Sequence, residues 1–74
     1  MQSYRRIVKF PNGYGASIIC TDHSDGGPEG LFEVAVMKGD KFCYDSPISK
    51  DGIGRCDFGR VSWILKDIAA LPKG

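Results

Sequence analysis

Along the first 46 positions, short segments rich in apolar residues are separated by polar, glycine-containing clusters, the pattern of strands joined by turns. Residues 4–10, YRRIVKF, are rich in β-branched and aromatic side chains and predict a first strand. Pro11-Asn12-Gly13 is a turn signal, because proline presets one corner and glycine tolerates the positive φ that closes a hairpin. A second strand follows over residues 14–21, with Tyr14, Ala16, Ile18 and Cys20 on one face and Gly15, Ser17, Ile19 and Thr21 on the other. Residues 22–30 form a polar loop longer than a hairpin needs, and such loops often carry function. Residues 31–37 and 41–46 predict the third and fourth strands, joined by the tight turn Lys38-Gly39-Asp40 and ended by Pro47. Residues 48–56 read as a glycine-containing connection.

After residue 57 the period changes. Asp57 has the chemistry of an N-cap, residues 58–71 read as a helix, and Pro72 stops it. At about 100° per residue, Val61, Ile64, Leu65, Ile68 and Leu71 fall within about 120° of one another and form a core stripe. Trp63, the single tryptophan, lies roughly 150° from the centre of that stripe. Gly59 and Ala70 flank it, so the wheel places Trp63 at an oligomer interface. The expected fold class is α+β, one small domain over residues 1–74: a four-stranded antiparallel meander followed by one C-terminal helix packed on the sheet.

Size and charge narrow the function. With 74 residues the chain is short of core, and oligomerisation to a dimer or tetramer is a natural remedy. Ten basic and nine acidic side chains leave a net charge of +1, which disfavours a long nucleic acid yet permits a small anion. No apolar run reaches the ~20 residues of a membrane span, and the N-terminus has no secretory h-region, so a cytoplasmic location is expected. Cys20, Cys43 and Cys56 are odd in number and widely spaced, which fits reduced thiols better than a disulfide frame. Neither they nor the lone His23 match a metal-ligand spacing, and no metal or other cofactor is expected.

Candidate chemistry is sparse. His23 stands among loop-forming residues, no phosphate-binding glycine loop lies between a strand and its helix, and no catalytic residues are assigned. Cys56, just before the helix, is the thiol whose position most favours reactivity, whereas Cys20 and Cys43 read as core thiols. A binding surface remains. Tyr14 and Tyr44 are suited to stack a planar base, Arg5 or Arg6 to meet phosphate, and Asn12 and Ser17 to supply neutral hydrogen bonds.

The stretches FPNGYGASII (10–19), GLFEVAV (30–36) and CYDSPI (43–48), followed by a short glycine stretch and a helix, resemble small proteins encoded by tailed bacteriophages. The resemblance runs from Tyr4 to Leu71. It implies immune evasion in the host cytoplasm by an anti-CBASS sponge, an oligomer that sequesters a cyclic dinucleotide such as 3′,3′-cyclic GMP-AMP without cleaving it. An alternative within the same phage class is an anti-CRISPR-like inhibitor of a host defence complex, acting through a sheet edge or the 22–30 loop. The resemblance assigns no residue roles; those come from the side-chain chemistry above.

Overall fold

A computed structural model of the chain describes residues 3–43, 48 and 52–73. Strands β1 (Tyr4–Lys9), β2 (Tyr14–Cys20), β3 (Phe32–Lys38) and β4 (Lys41–Phe42) form the expected antiparallel meander, in the order β1-β2-β3-β4. A fifth strand, β5 (Ile53–Cys56), pairs antiparallel with β3, and helix α1 (Phe58–Ala69) follows. The fold is α+β, with the helix packed on the sheet.

β5 corrects the expectation that residues 48–56 are only a connection. β4 pairs with Met37 and Lys38 at one end of β3, and β5 pairs with Phe32 and Val34 at the other. The two share one edge of β3. Gly52 and Gly54 hid β5, because glycine is depleted in strands and in sequence marks a turn. The strand is also irregular: one extra residue lies between its pairs with Phe32 and Val34, forming a bulge. Arg55 occupies that bulge at φ 56, where a side chain is strained. Its N–H bonds Asp25 O at 3.2 Å, and its guanidinium meets Glu29 at 2.7 Å, which together hold it there. The fourth strand is shorter than expected within the described residues, although Cys43 N continues the ladder to Val36 O at 2.9 Å. Residues 44–47 of that expectation lie outside the described residues.

Register puts Val8, Ala16, Ile18, Val34 and Val36 on the face that α1 covers, through Val61, Ile64 and Ile68. Asp57 caps the helix as expected, its Oδ1 accepting Arg60 N–H at 2.8 Å. The helix ends two residues early, with Ala70 as C-cap, and Leu71 is half-buried beyond it. The helix end is tied to the β1–β2 turn. There Gly13 alone takes positive φ, so Asn12 projects freely, and its Nδ2 donates to the carbonyls of Ile68, Ala69 and Leu71 at 2.9, 3.2 and 3.0 Å.

The 22–30 loop is locked. Thr21 N–H donates to Ser24 Oγ at 2.8 Å, and Ser24 N–H donates back to Thr21 Oγ1 at 3.1 Å. Ser24, Gly26 and Gly27 are buried, and a 3-10 turn at Gly27–Glu29 returns the chain to β3.

Candidate functional site

The residues singled out for binding do not converge on one surface. Alternation along β1 puts Arg6 on the helix side, between Tyr4 and Val8, and Arg5 on the opposite face. Ser17 shares the face of Arg5, two residue pairs further along the ladder. Tyr14 lies at the far end of the helix side, half-buried, with the Lys38 ammonium 5.7 Å from its ring centroid. Asn12 uses both ends of its amide within the fold, because its Oδ1 also accepts Tyr14 N–H at 3.0 Å. Tyr44 lies outside the described residues. Trp63 is 66 % exposed on the outer side of α1, and the Lys66 ammonium lies 5.6 Å from its ring centroid.

A different cluster does converge. Tyr4, Phe32 and Phe58 form a run of rings: Tyr4 meets Phe32 edge-on at 5.5 Å, and Phe58 tilts against Phe32 at 5.1 Å. Together with Ile18 and Val61 they line an open cleft of about 90 Å3. Its origin is geometric. α1 packs on β2, β3 and β5, so the helix-side face of β1 is left beside it as a shelf. Phe58, the first helical residue, overhangs that shelf from outside the core stripe and is 79 % exposed; Tyr4 is 42 % exposed. The signal in sequence was Phe58 itself, a large apolar residue rotated off the buried stripe.

Cys56 reverses its expected reactivity. It is fully buried, and its Sγ–H points at Ile53 O and Gly54 O at 3.4 and 3.6 Å. Burial pushes the thiol above its ordinary range; Arg60 opposes the shift, while Asp57 and Asp25 add to it. A thiolate there is disfavoured. We expect a thiol reagent such as DTNB to label half-buried Cys20 and Cys43 first, and Cys56 only at the rate of global unfolding. The raised pKa also sets a pH trend, since the unfolded chain loses this proton before the folded one does. Stability therefore falls as pH rises past the unfolded thiol's pKa, and Cys56→Ala removes that component of the slope in alkaline melts.

Among the described residues no group of three His, Cys, Asp or Glu side chains is placed to hold a metal ion, and no helix is long and apolar enough to cross a membrane. The chain matches no protein-family model, no curated protein and no solved structure.

Proposed function

We propose that this chain is a non-catalytic binding protein that sequesters a small anionic ligand with planar rings, a cyclic dinucleotide such as 3′,3′-cyclic GMP-AMP, in a bacterial cytoplasm. The observation that carries this reading is the pair of exposed rings, Tyr4 and Phe58, at the mouth of the cleft. Stacking of a base on an aromatic side chain contributes about 1–3 kcal/mol and needs no base-specific hydrogen bond. Arg6 projects from the same face of β1, two residues from Tyr4, and is exposed. It is the cation best placed for a phosphate, because the Asp57 carboxylate already occupies the helix N-terminus. The cleft is far smaller than the ~300–1,000 Å3 of pockets that engulf a ligand, so one base stacks and the remainder stays at the surface. Among the described residues, those lining it carry no histidine, cysteine or carboxylate, which supports capture over cleavage.

A thermal-shift panel of cyclic di- and trinucleotides tests the reading. A ligand at 100 times its dissociation constant adds about 2.7 kcal/mol of apparent stability. Phe58→Ala and Tyr4→Ala are expected to abolish the shift, Arg6→Gln to weaken it, and the ligand to be recovered intact after heating. Degraded ligand would mean an enzyme. No shift with any nucleotide would favour inhibition of a host protein complex, for which β1 offers an outer edge that no strand among the described residues pairs with.

A further inference from the structure

Helix α1 packs on one face of the sheet; on the opposite face, among the described residues, Arg5 and Ile7 are exposed, whereas Met37 is buried. Three rows cross that face from β1 through β2 to β3: Arg5–Ile19–Glu33, Ile7–Ser17–Ala35 and Lys9–Gly15–Met37. Ile7, in the middle of β1, is 53 % exposed, although it belongs to the strand's apolar pattern. The first row has a cation at one end, an anion at the other and an isoleucine between them. Both charges have directions to act in. Arg5 takes part in neither of the ion pairs found among the described residues, Lys9–Asp40 and Arg55–Glu29. Glu33 is half-buried and held by the Asp25 N–H, which donates to its Oε1 at 3.0 Å.

Such a row is self-complementary under one symmetry operation. Sheets pack face to face with strands aligned to within about 30° and about 10 Å apart. Two in-plane two-fold axes allow that contact. An axis across the strands puts β1 over β1 and sets Arg5 against Lys9 of the second copy, like against like. An axis along β2 puts β1 over β3. Arg5 then faces Glu33 of the second copy at both ends, Ile19 meets Ile19 near the axis, and Ile7 covers Ala35. The charge pattern selects the second arrangement.

We propose that the sheet face opposite α1 binds a second copy of this chain in that arrangement, forming a two-fold sandwich with the two helices outermost. Trp63 lies on the outer layer and takes no part in this contact. The face spans about three strands at ~4.8 Å spacing and seven residues at ~3.3 Å, less than the ~800 Å2 per partner of a standard interface. The dimer is therefore concentration-dependent.

Sedimentation equilibrium from about 1 µM to about 1 mM, the span of weak association, tests it. The mass is expected to rise from 8.1 kDa towards twice that value. Arg5→Glu alone and Glu33→Arg alone place like charges together at both ends of the row, and each is expected to stay monomeric. Their equimolar mixture is expected to dimerise, because every contact between the two variants then joins opposite charges. Since Glu33→Arg removes a bond that holds the 22–30 loop, Ile7→Glu and Ala35→Arg serve as a second complementary pair on the second row. Circular dichroism verifies that each variant is folded. Trp63→Ala is expected to leave the dimer unchanged. A wild type that stays monomeric to the highest concentration, a mixture of folded variants that stays monomeric, or a monomeric Trp63→Ala would each overturn the proposal.

Discussion

Replacing Asn12 with aspartate is expected to lower stability by about 2–3 kcal/mol, more than replacing it with alanine. The wild-type amide donates to the carbonyls of Ile68, Ala69 and Leu71 at the C-terminus of α1, where the helix dipole is negative; of these, Ile68 O also accepts from Leu71 N–H at 3.1 Å. Alanine removes the donor and leaves those carbonyls to water. Aspartate does the same and adds a negative charge beside them. At roughly 4–8 °C per kcal/mol for a domain of this size, the aspartate variant should melt on the order of 10–20 °C lower. The two variants separate with pH. Beside the negative helix end the folded-state carboxyl has a raised pKa, so the aspartate's extra deficit should shrink as pH falls through that value and be gone below the unfolded pKa of about 3.9, whereas the alanine deficit should not change. Thermal melts at neutral and acidic pH check this. An aspartate variant no worse than alanine at neutral pH would show that the contact does not hold the helix end.

Gly27→Ala is the second large effect. A Cβ at Gly27 would strike the carbonyl oxygen of Thr21 and the hydroxyl of Ser24. The first is backbone, and the second is fixed by its bonds to Thr21 N–H and O. Neither can withdraw cheaply, so the loop must open, at a cost of about 3 kcal/mol, the upper end for overpacking. Hydrogen exchange should show lost protection over residues 21–31 while the β1–β2 ladder persists. Gly30→Ala is the matched control. Its Cβ meets nothing within 4 Å, so only its φ of 80 counts against it, a strain of roughly 1–2 kcal/mol. Equal losses at the two glycines would show that the loop is not packed as described.

Much of the fold was legible because its elements repeat simple periods. The segment after Pro11-Asn12-Gly13 identified β2 and sorted its residues into two faces, and Asp57 marked the start of α1; which face α1 covers came only from the packing. β5 was not legible, because its strand character comes from pairing with β3 and its own residues, Ile-Gly-Arg-Cys, read as a turn. The candidate site was less legible than the fold. Arg5 and Arg6 are adjacent in sequence and therefore on opposite faces of a strand, so they cannot serve one pocket. Tyr4, Phe32 and Phe58 are separated by 28 and 26 positions, and only the packing of the helix start over β3 brings the rings together.

The sequence by itself determined the types of β1 to β4 and of α1, the hairpin turn at Pro11-Asn12-Gly13 and the stripe that buries the helix. Each depends on residues within a few positions of one another, where local sterics and periodicity decide. It also placed Trp63 outside the core, since a wheel needs only one helix. Tertiary structure decided the rest. It made Asn12 a brace for a helix end more than 50 residues away, buried Cys56, the thiol whose position had most favoured reactivity, and set three distant rings around one cleft. Those outcomes depend on which strand lies beside which and where the helix crosses them, and both follow from long-range packing that no short window of sequence contains.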